Sequence, residues 1–387
     1  MTRNQRLACA LSAVALLGAA AVAFDLRMAT AQNPPEPLAA LPKMPVPADQ
    51  PLTADRLKLG ELLFFDPRLS GDGSIGCADC HDPKLGWGDG NALSRGYPGT
   101  VHWRNSQTVV NSGYLKSFFW GSASPTLEHQ ANAAATGALA GNIQTRLGEE
   151  RMKQIPLYVE LFERVYGAKP SWERAMLAIA AYERTIVSDD SAFDRYMRGE
   201  QGALSQQQLR GKGLFQGKAG CTACHNGALL TDGAHHNTGV PPNPEFATDP
   251  QRQIAMRERI RGKGIAEEVY LALDRDPGRY LETKKDDDKG KFRTAPLRYL
   301  VYTAPYMHNG VFLTLEEVVN FYDQGGGQDP FGTKSALLRP LTLTAAEKQD
   351  LVAFLESLSG SEIKPTRPTL PSYGVLQFPM APGQFNK

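Results

Sequence analysis

Cysteine is scarce in this chain, with five in 387 residues, and Cys9 lies in the apolar N-terminal stretch. The other four fall in two Cys-x-x-Cys-His motifs, so no thiol remains for a disulfide. Excess charge is also lacking, since the net charge is only +1. This gives no reason to expect nucleic acid or an anionic membrane as a partner. No long apolar run follows Leu7–Phe24. Few segments show the alternation of apolar and polar residues that is typical of β-strands. A soluble, mainly α protein with little β is therefore predicted.

The two motifs are Cys77-Ala78-Asp79-Cys80-His81 and Cys221-Thr222-Ala223-Cys224-His225. This pattern attaches a c-type haem, because both thiols add to haem vinyl groups and the histidine becomes an axial ligand of the iron. Zinc is one alternative, but a zinc ribbon places its two pairs only about 15–20 residues apart. A redox dithiol is the other alternative, and it needs no histidine after each pair. The sequence therefore predicts two covalent haems, held by Cys77, Cys80 and His81 and by Cys221, Cys224 and His225.

A cleavable export signal is predicted at residues 1–31. Arg3 and Arg6 precede the apolar run, and residues 29–31 read Ala-Thr-Ala, a small-residue cleavage site, with residues 21–23 as the alternative. An uncleaved membrane anchor is the competing interpretation. Because haem c is attached outside the cytoplasm, we expect a periplasmic protein without membrane contact after cleavage.

Helix starts recur before each haem motif. Thr53 and Ser205 are N-cap residues of helices that lead into the motifs, and Thr344 with Glu347 forms a capping box near the C-terminus. This repeat predicts two cytochrome c-like haem domains related by duplication. In chain order we expect an arm, an N-terminal haem domain, a C-terminal haem domain and a tail at 32–50, 51–200, 201–365 and 366–387. Amphipathic periodicity predicts further helices over 145–167 and 171–199.

Further segments accompany the motifs: Arg104-Asn105 before Asn111, Phe119-Trp120-Gly121, Leu127-Glu128-His129-Gln130-Ala131, and Thr303-Ala304-Pro305-Tyr306-Met307-His308-Asn309-Gly310 before Thr314-Leu315-Glu316-Glu317. Over roughly residues 50–360 this set resembles the bacterial di-haem cytochrome c peroxidases and the MauG-like enzymes, including MbnH-like ones. The resemblance implies that peroxide reacts at the N-terminal haem. It also implies that the C-terminal haem is six-coordinate and transfers electrons.

The resemblance implies roles for individual residues as well. Trp120 matches a tryptophan between the two haems, and Gln130 matches a glutamine on the distal side of the peroxide-reacting haem. Tyr322 stands where ordinary peroxidases have a methionine ligand of the C-terminal haem and MauG-like members have tyrosine. An anionic phenolate favours ferric iron, whereas a thioether raises the reduction potential. Met307 is the alternative ligand.

The same likeness implies a calcium ion between the haems, bound by oxygen atoms of Asn105, Thr303 and Pro305. One family feature is missing. A distal glutamate normally moves a proton between the two oxygens of peroxide, and its position falls on Ala140. His129 and His102 are the candidate substitutes.

We therefore expect a haem-dependent oxidoreductase that uses hydrogen peroxide. In the MauG-like interpretation, a high-valent state shared by two haems oxidises an aromatic side chain of a partner protein. The alternatives are a cytochrome c peroxidase supplied by a small cytochrome or cupredoxin, and a di-haem electron carrier. MauG has a tryptophan two residues before its second haem motif, where this chain has Ala219, so MauG's own substrate is not carried over.

Overall fold

A computed structural model describes residues 35–375. The predicted signal (1–31) and residues 376–387 of the predicted tail lie outside that range. Helices dominate the described residues, which confirms the mainly α prediction. They are α1 (Ala54–Phe65), α2 (Cys77–Cys80), α3 (Leu127–Thr136), α4 (Thr145–Lys153), α5 (Pro156–Tyr166), α6 (Trp172–Glu183), α7 (Ala192–Met197), α8 (Gln206–Gln216), α9 (Pro244–Thr248), α10 (Pro250–Gly262), α11 (Glu267–Leu271), α12 (Tyr280–Thr283), α13 (Leu315–Asp323) and α14 (Ala345–Glu356).

Residues 35–375 contain little β-strand. Strands β1 (His235–His236) and β2 (Phe292–Arg293) form one antiparallel ladder in which His235 pairs with Arg293. Short 3-10 turns lie at Pro67–Leu69, Pro83–Leu85, Ser112–Tyr114, Cys221–Ala223, Asp286–Asp288 and Leu300–Tyr302. No helix in the described part of the chain is long and apolar enough to cross a membrane.

The three predicted N-caps are confirmed. Thr53 Oγ1 accepts a hydrogen bond from the Arg56 amide at 3.4 Å and begins α1. Ser205 and Thr344 begin α8 and α14, each within a complete capping box. These side chains satisfy amide groups that have no partner inside the helix, so the local sequence determines where the helices begin.

Helices α1 and α8, which precede the two haem motifs, each cross another helix at a glycine. On α1, a Cβ atom at Gly60 would overlap the carbonyl oxygen of Ala178 in α6, and on α8, one at Gly211 would overlap that of Asp350 in α14. Glycine therefore permits both close helix contacts. The shared crossing supports the predicted duplication, which stays a prediction together with the domain boundaries.

The two long helices predicted over 145–167 and 171–199 are wrong in extent, because each region contains two helices. Pro156 begins α5, where its missing amide hydrogen costs nothing, and α4 has already ended. After α6 the chain turns away to pair with Asn111. The Asn111 side chain donates to the Ser188 carbonyl at 3.1 Å and accepts from the Ser188 amide at 3.0 Å.

The described part of the predicted arm, residues 35–50, has no helix or strand and is anchored to the rest of the protein. The Leu41 amide donates to Asp194 Oδ1 at 3.2 Å, and the Ala39 carbonyl accepts from Arg298 at 3.1 Å. Arg298 and Asp194 themselves form a fully buried ion pair of 2.7 Å. The arm therefore packs against a charged pair that joins distant parts of the chain.

Candidate functional site

The first haem motif forms a single helical turn. The amide of His81 donates to the Cys77 carbonyl at 2.9 Å, which closes α2 and places Cys77 and Cys80 on one face. His81 Nδ1 donates to the Trp87 carbonyl oxygen at 3.1 Å. Metal-binding histidines are commonly oriented by such a bond, which leaves Nε2 for the metal.

The second motif has the same local arrangement. The amide of His225 donates to the Cys221 carbonyl at 2.8 Å, and its Nδ1 donates to the Leu230 carbonyl at 3.0 Å. Trp87 and Leu230, which supply the two carbonyl acceptors, both have positive φ angles of 63° and 54°. Positive φ is uncommon outside glycine, so these two acceptors could not be predicted from the sequence.

Trp87 is itself fixed by the C-terminal part of the chain. Its indole Nε1 donates to the carbonyl of Ile363 at 2.9 Å, and its ring lies 5.9 Å from that of Phe64 in α1. The ring is fully buried. The segment after α14 therefore helps to hold the carbonyl that orients His81.

The donor set fits haem better than zinc or a redox dithiol. Within residues 35–375, the one group of three metal-binding side chains is Cys224, Asp232 and His236, so the two cysteine pairs do not meet in a zinc ribbon. Burial raises the pKa of Cys80 to about 11 and that of Cys221 to about 12, which is unlike an activated redox thiol. In each half, two free thiols and one oriented imidazole remain, as covalent haem attachment requires.

Trp120 contacts residues of both halves. Its Nε1 donates to the Asn105 carbonyl at 3.0 Å, and its own carbonyl accepts from the Arg293 amide at 2.8 Å. Its ring lies 6.4 Å from that of His308, nearly edge to face, and His308 stacks on Phe292 at 3.6 Å. This position supports the relay predicted for Trp120, which stays a prediction.

Asn105 lies next to the segment that contains the other two residues predicted to bind calcium. The Asn105 amide donates to the His308 carbonyl at 2.8 Å, so Asn105 lies beside the turn that contains Thr303 and Pro305. The Asn105 side-chain nitrogen donates to Asn91 O at 2.9 Å, which leaves its side-chain oxygen as the atom that could reach a cation. The calcium site stays a prediction.

Arg104, the neighbour of Asn105, joins two segments that are far apart in the sequence. Its Nε and Nη2 donate to the Asp276 carboxylate at 2.5 and 2.8 Å, and Trp103 Nε1 donates to it at 3.0 Å. Burial alone would raise the pKa of Asp276, but the Arg104 guanidinium holds it below its usual value. The carboxylate is therefore charged and paired.

Tyr322 lies in the last turn of α13, near the second motif. Burial raises the pKa of its phenol to about 12, a hydrogen bond with Thr238 opposes this, and the nearby sulfurs of Cys224 and Cys221 add to it. This proximity supports Tyr322 as the axial ligand. Met307 lies beside His308 in a left-handed backbone conformation, with φ of 74°. The choice between the two ligands stays a prediction.

The distal residues are less closely defined. Gln130 is half-buried on α3, and Ala140 lies beyond the end of that helix without a carboxylate. His129 is exposed, and its Nδ1 lies 2.8 Å from Ser124 Oγ. His102 stacks on the neighbouring Trp103 at 4.2 Å, and burial lowers its pKa to about 3. These contacts give neither histidine an evident distal role.

Glu183 is a buried carboxyl that the sequence interpretation missed. It is 4% exposed, and its Oε2 has no hydrogen-bond partner among the described residues. Burial raises its pKa to about 8, although Arg184 opposes the shift, and its charge is close enough to raise the pKa of Cys77. Its position in the apolar Ala-Ala-Tyr-Glu run of α6 was the available signal. Glu183 therefore lies near the first haem motif.

Replacing Glu183 by Gln is expected to flatten the pH dependence of stability. The unfolded carboxyl loses its proton near 4.5, whereas the folded one keeps it to about 8. The free energy of unfolding therefore falls as pH rises between these values. The loss is about 1.4 kcal/mol per pH unit, a few kcal/mol in total. Denaturant unfolding at the two ends of this window measures the effect. Glu163→Gln, at an exposed position, is the control, and equal slopes in both variants would contradict the assignment.

Comparisons with known proteins agree on one family. The family model described as "Di-haem cytochrome c peroxidase" matches residues 54–202. The "Cytochrome-c peroxidase IdrP1" of Pseudomonas sp. (strain SCT) is 51% identical over 360 residues, covering 92% of this chain and 94% of the relative. The "Methylamine utilization protein MauG" of Methylorubrum extorquens is 35% identical over 330 residues, 85% of each chain.

A solved structure is similar as well. The crystal structure of "a MauG-like protein associated with microbial copper homeostasis" is 32% identical, covers 83% of this chain and 95% of its own, and has a TM-score of 0.69. Peroxidases and MauG thus both match across most of the chain. These matches and the two oriented haem motifs establish that the chain belongs to the di-haem cytochrome c peroxidase family, as a haem-dependent oxidoreductase that uses peroxide.

Proposed function

We propose that this protein is a periplasmic peroxidase that reduces hydrogen peroxide with electrons from a partner redox protein, without needing prior reduction of its haems. The two haems, when bound, supply the redox chemistry and hold the electrons that the reaction exchanges. The observation that carries the proposal is the position of Tyr322 beside the second haem motif. An oxygen ligand there favours ferric iron, so the resting enzyme would be ready for peroxide.

The side chains of the first motif would hold the peroxide-reacting haem. Cys77 and Cys80 would attach it, and His81, whose Nδ1 is bonded to the Trp87 carbonyl, would offer its free Nε2 to the iron. Gln130 would orient peroxide on the opposite side through its amide group. Because position 140 has no carboxylate, another residue would have to carry the proton. Glu183 is a candidate, since it is buried, protonated at neutral pH and near Cys77.

Trp120 would carry electrons between the halves. Its indole is flat and oxidisable, and its Nε1 bond to Asn105 and its contact with His308 hold it in one orientation. A calcium ion held by oxygen atoms of Asn105, Thr303 and Pro305 would stabilise the same region. Such a cation would add positive charge close to Trp120. We therefore expect removal of the calcium ion to slow electron transfer.

The nature of the partner follows from the relatives. The relative with 51% identity is named a cytochrome-c peroxidase, which supports a small cytochrome or cupredoxin as the electron donor. The predicted export signal supports a donor in the periplasm. The near-neutral chain gives no reason for a strongly charged docking partner.

A second candidate is the oxidation of an aromatic side chain on a partner protein, as predicted for a MauG-like enzyme. Tyr322 favours it, because MauG-like members share a tyrosine at this position. The 32% identity to a MauG-like structure adds support. Ala219 is buried where MauG has a tryptophan, so electrons would leave the protein by a different route.

The test is to mix the fully ferric protein with one equivalent of peroxide and then add a reduced small c-type cytochrome. We expect an immediate change in the haem spectrum and the oxidation of two cytochromes per peroxide. A reaction that begins only after one haem is reduced would indicate an ordinary peroxidase. Two low-spin haems that ignore peroxide would indicate an electron carrier. A spectrum that decays only with a tryptophan- or tyrosine-bearing partner would favour the second candidate.

A further inference from the structure

Arg293 is a buried guanidinium that lacks a carboxylate partner among residues 35–375. It lies in β2 and is 4% exposed. Its Nε donates to the Phe119 carbonyl at 3.4 Å and its Nη1 to the Thr294 carbonyl at 3.5 Å, both long bonds to neutral acceptors. By contrast, the buried Arg298 and Arg104 each contact a carboxylate.

A lone buried charge is unfavourable. Moving a cation out of water costs free energy unless an anion compensates its charge. Burial lowers the pKa of Arg293 to about 10, so the side chain is still charged at neutral pH. A bound anion would supply the counter-ion that residues 35–375 do not provide.

The surroundings of Arg293 belong to the second haem site. Its amide donates to Trp120, and the carbonyl of the next residue, Thr294, accepts from Thr231 Oγ1 at 2.7 Å in the loop after the second motif. The backbone of Ala295 lies close enough to hydrogen-bond the His225 imidazole. Arg293 is thus placed between Trp120 and the histidine of the C-terminal haem.

We infer that Arg293 binds a propionate of the C-terminal haem and forms a buried ion pair with it beside Trp120. Haem c is attached through its former vinyl groups, so both propionates remain free as carboxylates. A guanidinium matches a carboxylate with two parallel hydrogen bonds, which makes arginine the suitable residue. The inference requires two bound haems. It does not depend on whether Tyr322 is the axial ligand or on which protein is the redox partner.

This ion pair would raise the reduction potential of the C-terminal haem. Oxidation adds one positive charge at the iron, and a nearby cation opposes that addition. Without Arg293 the propionate keeps its negative charge uncompensated, which favours the ferric form. The effect should be larger at the C-terminal haem than at the N-terminal one.

The test uses the full-length protein with both haems, titrated by spectroelectrochemistry. We expect Arg293→Gln to shift the ferric–ferrous equilibrium of the C-terminal haem about tenfold towards ferric, which is about 59 mV for one electron. Arg293→Lys, which keeps the charge, should change it less. Arg279→Gln is the matched control, because Arg279 is partly exposed and lies 3.9 Å from the Asp288 carboxylate.

Unchanged potentials in a folded Arg293→Gln protein would overturn the inference, and so would a shift confined to the N-terminal haem. If that variant does not fold, the wild-type protein provides a second measurement. Infrared spectra with isotope-labelled haem propionates should show ionised carboxylates at the C-terminal haem at neutral pH. A protonated propionate there would also overturn the inference.

Discussion

Replacing Tyr322 by methionine is expected to raise the reduction potential of the C-terminal haem and to make the reaction with peroxide depend on prior reduction. A phenolate stabilises ferric iron, whereas a thioether stabilises ferrous iron. Axial ligands tune haem potentials over about 0.8 V, so we expect the potential of the C-terminal haem to rise by on the order of 0.1 V or more. Spectroelectrochemistry measures the potential, and stopped-flow mixing of the ferric variant with peroxide measures the reaction.

Met307→Leu is the matched control for this prediction. Met307 is the alternative ligand in the same half of the chain, and removing its thioether should change neither the potential nor the peroxide reaction. If Met307→Leu alters the low-spin spectrum of the C-terminal haem and Tyr322→Met does not, Met307 is the ligand. In that case the proposal of a peroxidase that reacts in its ferric state loses its main support.

The features that the sequence predicted well are local ones. The caps at Thr53, Ser205 and Thr344 are confirmed, because an N-cap depends on a side chain and an amide two or three residues away. The haem motifs are equally local. The long helices over 145–167 and 171–199 were wrong because periodicity continues across breaks that proline or a distant partner imposes.

The features that the sequence did not predict depend on tertiary contacts. The carbonyl that orients His81 belongs to Trp87, and its left-handed conformation and its anchor at Ile363 come from other parts of the fold. Glu183 and Arg293 are ordinary charged residues in the sequence, and only their burial makes them unusual. An isolated charge in an apolar segment is a weak signal of this kind, and it was present only for Glu183.

Removing the carboxylate of Asp194 is expected to cost about 3–5 kcal/mol of folding stability. The Asp194 and Arg298 side chains are 0% and 1% exposed, and their atoms lie 2.7 Å apart. Asp194→Asn would leave the Arg298 cation buried without compensation. The same guanidinium donates to the Ala39 and Ala228 carbonyls, so the loss should also loosen the arm and the loop of the second haem motif.

A double variant separates the cost of an unpaired charge from the value of the pair. Asp194→Leu with Arg298→Met removes both charges and should recover much of the stability lost by Asp194→Asn, as measured by denaturant unfolding. The control is Arg210→Gln, since Arg210 is 61% exposed in its pair with Asp350 and should lose at most about 1 kcal/mol. Equal losses in the buried and exposed pairs would show that burial of Asp194 and Arg298 does not set the cost, and the anchoring of the arm would then need another explanation.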